Sequence, residues 1–552
     1  MPGINDTIKI PILRYGLLVF LTAIVYVSSL NNVFVWDDTH IIAQNPLLEK
    51  LANIPRFFLS EDMAMGFTGY YRPVTYISFA IDRALWGLNP TGFHITNLVL
   101  HIIAVLLFYA VVTALFKKDR LAFVAALLFA LHPLAGESVN FLAGGRNTLL
   151  CACFTLLSLL FYSKKKQLPA VACFTVAIFS KEFALLLPVV FLIYDLRLQR
   201  EQVVFRSYFL YLIPTACYLT HRSFAVHKAN FFSTINLSDT LMAPYLVVRY
   251  VMNMAYPFQL KVLYDVPPAG LSSVLSLGVI AGLIGAVYFF RKHDEILFSA
   301  LWLFLFLLPV INIIPLDSAS MMADRYAYFS LMGFALLLAS FFCLLNGRIL
   351  IVGIVTLCVV YSVIDYRRNG IWNNEVAFFT RMTLDAPEKF DGPQNLGMLY
   401  YKNGDIARAV PYLRAALSKP DISAMFLVGT ASVFWKENML DEAENSLLRA
   451  LALGPPDPEP YLMLITLYER SGNNVMAASY REKAERLFQG IDKRMAQRAV
   501  ALCREGEEYV SRKLFVPAEN VFWQALQIHP EYAPALAGMR RVRDIQHNSR
   551  PE

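Results

Sequence analysis

Apolar and polar positions follow two different patterns along this chain. Up to about residue 364, one long apolar run follows another with short polar breaks. Beyond that, apolar positions recur every three to four residues between charged ones, as in amphipathic helices packed in water. The pattern predicts an all-α protein, with a polytopic helical membrane domain over 1–364, a linker or partial repeat over 365–390, and a helical repeat domain over 391–545.

Eleven candidate spans fall at 11–30, 94–116, 121–134, 147–163, 168–180, 183–196, 207–220, 271–290, 296–314, 326–344 and 349–364. A helix needs about 20 residues to cross a bilayer, with a floor near 17. The shorter runs therefore need protein around their ends. Ser28 and Ser29 imitate a signal-peptidase site, but the ten apolar runs that follow make 11–30 an anchor. With the N-terminus inside, every second loop is basic: Lys117, Lys118 and Arg120; Lys164 to Lys166; Arg197, Arg200 and Arg206; Arg291 and Lys292; Arg348. Keeping that alternation requires a break at Ser180–Lys181–Glu182. The two long loops, 31–93 and 221–270, then lie outside with the C-terminal repeats, on the face where function is expected.

After residue 390 a period of 34 appears: Gly404, Asn438 and Gly472; Ala409, Ala443 and Ala477; Ala416, Ala450 and Ala484. This is the tetratricopeptide period, two helices per repeat. Pro420 and Pro455 end their repeats, and a fourth unit, with Ala518 and Ala525, arrives 41 residues after Ala477. Such a solenoid offers a concave face to a peptide or protein, or serves as a spacer.

Composition agrees with the membrane pattern. Only 16% of the 552 residues are charged and 57% are hydrophobic, whereas a soluble domain averages about 25% charged. The net charge of +7 does not point to nucleic acid, because the basic residues sit in short loops between apolar runs. The cysteines fall mostly inside apolar runs, and the Cys151-x-Cys153 pair has no nearby Cys or His partners, so no metal site is expected.

Polar residues at membrane depth mark function by default. Asp37 and Asp38, in Phe34-Val-Trp-Asp-Asp-Thr-His40, stand where the chain leaves the first span. One can act as a base at the interface, or the pair can cap a helix. Residues 70–94 read as a helix lying along the interface, with Arg72 placed for a phosphate at headgroup level or for a surface salt bridge. His94, Asn97 and His101 share one helix face and read as a hydrogen-bonded polar face inside the bundle. His132, Glu137 and Arg146 lie in Leu131–Asn147, Lys181 and Glu182 at the break, and Asp324 and Arg325 before the tenth span. Arg72, Arg146, Lys181 and Arg325 are thus expected on one side, as a site for an anionic headgroup or as snorkelling anchors.

The ordered set FVWDDTHIIAQNP, YRPVTYISFAIDRALWGLNPTGFHITNLVLH, HPLAGESV, GGRN, SKE and ADRYAY, followed by the repeats, resembles the transmembrane and tetratricopeptide repeat (TMTC-like) O-mannosyltransferases of the glycosyltransferase C (GT-C) superfamily. The resemblance runs from about Phe34 through the repeats. It implies a multi-span enzyme that uses a polyprenyl-phosphate sugar, typically dolichyl phosphate mannose, and glycosylates Ser or Thr hydroxyls on the outer face. It also implies that the base lies in the Asp37–Asp38 pair, with Asp37 favoured, and that basic residues such as Arg72, Arg146, Lys181 and Arg325 hold the phosphate. One departure is Asn147, where relatives carry an acid after Gly-Arg; sugar or acceptor choice is in question there. The donor is a substrate, and no cofactor or metal is required. The expected partners are the lipid donor, the acceptor polypeptide at the repeats and the membrane. Rival readings are a GT-C enzyme acting on a glycolipid or polysaccharide and a non-catalytic membrane scaffold. Compact loops favour a prokaryotic inner membrane over the endoplasmic reticulum, and the sequon at Asn236 is neutral between them.

Overall fold

The computed structural model describes residues 4–59, 70–200, 205–225, 240–313, 320–345, 347–454, 458–487, 491–511, 515–528 and 532–548. The Asn236 sequon and parts of both long loops lie outside the described residues. The chain divides into two compact units, Met1–Pro387 and Glu388–Glu552. Every regular element among the described residues is helical.

The first unit is an integral membrane domain. Its helices are α1 (Ile4–Tyr26), α2 (Pro73–Trp86), α3 (Pro90–Phe116), α4 (Asp119–Leu131), α5 (Gly136–Asn140), α6 (Leu142–Ser163), α7 (Gln167–Ile178), α8 (Leu187–Tyr194), α9 (Phe205–Ala225), α10 (Ala243–Ala255), α11 (Leu271–Phe289), α12 (Asp294–Leu307), α13 (Tyr328–Phe342), α14 (Gly347–Asn369) and α15 (Glu375–Asp385). Among the described residues six helical stretches are long and apolar enough to cross a membrane, and a seventh is the pair α4 and 133–140, bent by 52°. By length and composition the expected eleven spans are not reached. The runs at 168–180, 183–196 and 296–314 are carried by helices of 12, 8 and 14 residues. α7 stops before Ser180-Lys181-Glu182, where Lys181 is fully extended (φ −162°, ψ 145°), and α12 gives way at Leu308-Pro309 to a 3-10 turn.

Aromatic and aliphatic side chains from α3, α4, α6, α7, α12 and α13 form one core, with Phe108, Phe129, Phe174, Phe306 and Tyr328 buried in it. Leu275, Leu277 and Ile284 of α11 and Ile351, Val352 and Val355 of α14 are exposed, as helices facing lipid require. Helix α2 buries Tyr76, Phe79 and Asp82 and exposes Ile81, Leu85 and Trp86, which suits an interfacial position. Gly92 follows the turn, and a Cβ there would lie 2.1 Å from the Trp86 ring.

The second unit stacks helix pairs α16 (Asp391–Lys402) and α17 (Ile406–Leu417), α18 (Ala424–Lys436) and α19 (Leu440–Ala452), α20 (Glu459–Arg470) and α21 (Asn474–Leu487), α22 (Ile491–Ser511) and α23 (Phe515–Ile528), with α24 (Ala533–Asn548) last. The period has a backbone cause. Gly404 (φ 77°), Asn438 (φ 59°) and Gly472 (φ 76°) occupy the left-handed turn within each pair, a conformation that glycine and asparagine tolerate best. The repeating alanines are buried where helices approach closely, and so are Ala518 and Ala525 of α23. The 41-residue gap is explained by α22, which has 21 residues where α20 has 12.

Candidate active site

The loop after α1 is built around Asp38. Its Oδ1 accepts the Ala143 N–H at 2.7 Å and its Oδ2 the Val35 N–H at 3.3 Å. Asp38 thus caps the N-terminus of α6 from a distant loop, where the helix dipole favours a negative group. It is fully buried, and burial pushes its pKa up to about 8 despite those amide donors. Asp37 is only half-buried. Burial raises its pKa too, opposed by Arg325 and His40 nearby. Asp38 is therefore tied into the backbone, and Asp37 before it remains partly exposed. Trp36 precedes them at φ 53°, a conformation that a bulky residue adopts only when its surroundings enforce it.

Arg325 reaches this loop from the segment before α13. Its backbone N–H donates to Glu137 Oε2 at 2.8 Å, and its guanidinium also pairs with Glu137. It lies over the Phe141 ring at 5.1 Å. Gly144 makes room for it, since a Cβ there would lie 2.8 Å from Arg325 Cδ; a Cβ on Gly145 would lie 2.0 Å from the Ser138 carbonyl oxygen. The Gly-Gly before Arg146 is thus a packing requirement of α6 against α5 and Arg325. Asp324 turns the other way and is buried, accepting from Tyr264 Oη at 2.6 Å and pairing with Arg368 at 2.8 Å.

Burial, helped by the nearby Arg72 and Arg325 and opposed by Glu182, pushes the pKa of Lys181 down to about 7. Only 3% of it is exposed. Its Nζ donates to Thr148 Oγ1 at 2.7 Å and faces the Phe183 ring at 4.6 Å. Among the described residues no carboxylate forms an ion pair with it. Arg72 does have one, Glu182, at 3.0 Å, and stacks on Tyr70 at 4.0 Å.

Arg146, expected beside these cations, is instead enclosed. Its guanidinium pairs with Asp82 at 2.7 Å and donates to Asn97 Oδ1 (2.5 Å), Ser78 Oγ (2.6 Å) and the Phe93 carbonyl (2.9 Å). A buried guanidinium so fully engaged cannot turn to a phosphate. Loss of one partner from such a pair costs about 3–5 kcal/mol. Arg146→Gln is therefore expected to lower the thermal unfolding midpoint in detergent and the yield of folded protein, before any effect on donor affinity. The remaining polar positions are internal. Asn97 donates to the Val139 carbonyl at 3.1 Å, and His101 contacts Tyr328 Oη at 2.8 Å and the Ala130 carbonyl at 3.3 Å. His94 is buried beside them in α3. His132 Nε2 meets the Met254 carbonyl at 2.8 Å, while its Nδ1 accepts from Leu134 N–H. Asn147 donates to the Ala143 carbonyl at 3.0 Å within α6.

Residues 73–223 match the family described as dolichyl-phosphate-mannose-protein mannosyltransferase. The chain is 26% identical over 422 residues to protein O-mannosyl-transferase F38B6.6 of Caenorhabditis elegans, covering 70% of this chain and 60% of that one. It is 34% identical over 166 residues to protein O-mannosyl-transferase TMTC1 of Mus musculus (29% and 18% covered) and 33% over 155 residues to mouse TMTC3 (27% and 17%). The similarity to these O-mannosyl-transferases covers part of this chain and part of each relative. The chain spans three fifths of the first relative's length and under a fifth of the other two. The crystal structure of the APC/C hetero-tetramer Cut9-Hcn1 aligns with 89% of this chain and 96% of that chain, at 14% identity and a TM-score of 0.22. The repeat assignment rests instead on the helix pairs and their alanine ladder.

Proposed function

We propose that this protein transfers mannose from a polyprenyl-phosphate donor to Ser or Thr hydroxyls of an exported polypeptide. The observation that carries the reading is Lys181, a buried amine with no ion-paired carboxylate among the described residues, within electrostatic reach of Arg72 and of Arg325, the arginine that also acts on Asp37. Arg72 and Arg325 each have a carboxylate, so the set has one surplus positive charge, which suits the single negative charge of a phosphodiester.

In the proposed reaction, Asp37 takes the proton of the acceptor hydroxyl. The oxygen attacks the anomeric carbon in line, the bond from that carbon to the phosphate oxygen breaks, and the polyprenyl phosphate leaves with its charge held by Lys181, Arg72 and Arg325. The configuration at the anomeric carbon inverts. A base of this kind contributes about 10²–10⁴-fold, and stabilising the departing phosphate contributes at least comparably. With this cationic set the reaction uses no metal. Asp38 holds the loop, and the repeats present the acceptor. Eleven crossings, several by short helices inside the bundle, leave the N-terminus on the cytoplasmic side and place Asp37 and the repeats outside, as the alternation of basic loops supports.

The test is direct. Purified protein is given polyprenyl-phosphate mannose and a Ser/Thr-rich peptide, and the peptide is expected to gain one hexose. Transfer only to a lipid or polysaccharide acceptor would replace the protein-acceptor reading, and no transfer to any acceptor by folded, donor-binding protein would favour a scaffold.

A further inference from the structure

The stretch between the last long membrane helix and the repeats is packed, residue by residue, onto the loop that carries Asp37. Trp36 stacks on Phe141 with ring centroids 5.7 Å apart and planes 15° apart, and meets Phe378 of α15 at 6.3 Å. Phe378 is fully buried, 4.8 Å from Trp372, and Trp372 in turn stacks on Phe141 at 5.8 Å. The Trp372 carbonyl accepts the Val33 N–H at 3.2 Å. At its far end α15 is held by the second long loop: Asp385 Oδ2 accepts the Val262 N–H at 2.8 Å, and the Asp385 carbonyl accepts Lys261 Nζ at 2.7 Å. The segment therefore ties the two outer loops together.

This packing also accounts for the backbone at Trp36. A tryptophan at φ 53° is costly and persists only where its surroundings over-determine it. The aromatic clamp does so on one side. On the other, Asp38 N–H donates to the Val35 carbonyl at 3.0 Å and Thr39 N–H to the Trp36 carbonyl at 3.2 Å, closing a tight turn. Asp37 lies between two pinned neighbours and has its direction set by them.

We infer that residues 370–385 are a positioning element for the base, with Phe378 and Trp36 as positioning residues that aim Asp37 without touching substrate. The inference rests on Asp37 being the base. A shift of about 1 Å in a reacting group costs on the order of a hundredfold in rate. The turnover of Trp36→Gly, which removes the ring and relieves the backbone, is expected to fall on the order of a hundredfold, and that of Phe378→Leu about tenfold. The KM for polyprenyl-phosphate mannose stays close to wild type in both, while the thermal midpoint falls modestly in Phe378→Leu because a fully buried ring is trimmed; Trp36→Phe, which keeps a ring in the clamp, retains most of the turnover. Asp37→Asn is measured alongside. If it abolishes transfer while Trp36→Gly and Phe378→Leu turn over like wild type, the positioning role is overturned and the base stands. If Asp37→Asn transfers normally, the base assignment falls and the positioning role with it. A parallel fall of turnover, donor binding and thermal midpoint in Phe378→Leu, unrepaired in Trp36→Phe, would make the clamp merely structural and overturn the inference.

Discussion

Asparagine in place of Asp37 is expected to lower the turnover of sugar transfer by about 10²–10⁴-fold and to leave donor affinity intact. The carboxylate sits beside Arg325 but outside the pairs that hold the fold, so its loss removes a proton acceptor and little packing. The amide in Asn has the same shape and cannot accept the proton. Asp38→Asn separates the two roles. Asp38 caps α6 through Ala143 and braces the Val35 amide, so its replacement should cost about 1 kcal/mol or more of stability. That appears first in the thermal midpoint and the yield of folded protein. Initial rates at saturating donor, set against unfolding midpoints for the same preparations, check both. An Asp38→Asn protein that folds normally yet loses turnover as Asp37→Asn does would reverse the assignment.

Replacing Lys181 with methionine is expected to raise the donor KM roughly ten- to a hundredfold, the equivalent of one charge-assisted hydrogen bond of about 1.5–3 kcal/mol. The donor-free protein should be no less stable than wild type. A buried ammonium with one neutral partner is expensive to desolvate, and methionine fills similar space without that cost. This opposition of weaker binding and undiminished stability is unusual for a buried residue and is read by donor titration beside thermal unfolding. The pH dependence has a definite sign on each limb. Lys181, with its pKa down to about 7, loses its proton as pH rises through neutrality, so donor affinity falls on the alkaline side. Asp37, with its pKa raised by burial, must lose its proton to act, so turnover falls on the acid side. In kcat/KM the profile is a bell. Lys181→Arg keeps a cation that does not titrate in this range, and should flatten the alkaline limb while sparing the acid one.

Much of this arrangement is legible in one dimension because its signals are local. A 34-residue period needs only the turn residues and alanines that recur with it. Asp37–Asp38, Ser180–Glu182 and Asp324–Arg325 declare themselves as charges where apolar runs break. The partners of those charges do not. Arg146 reads as a cation at headgroup depth until Asp82, on α2, is seen to pair with it in the interior. Asp324 reads as part of the site until Arg368, at the end of α14, takes it away. The residues at 365–390 read as a linker because their pattern is short and mixed; the aromatic stack from Trp372 and Phe378 to Trp36 joins positions more than 300 apart, and no periodicity encodes it. The count of eleven spans is not confirmed by helix length for a related reason. Hydropathy windows reward length, and α7 and α8 are short helices on either side of the Ser180–Glu182 break.

Inverting transfer from a lipid phosphate to a protein hydroxyl is tested most directly by the anomeric configuration of the product. Wild-type protein in lipid nanodiscs, given polyprenyl-phosphate mannose of known configuration and a Ser/Thr peptide, should yield a peptide bearing one hexose on a hydroxyl oxygen. NMR of the purified product should show the opposite configuration at the anomeric carbon. A product that retains the donor's configuration, or an unmodified peptide from protein shown to be folded and donor-bound, would contradict it.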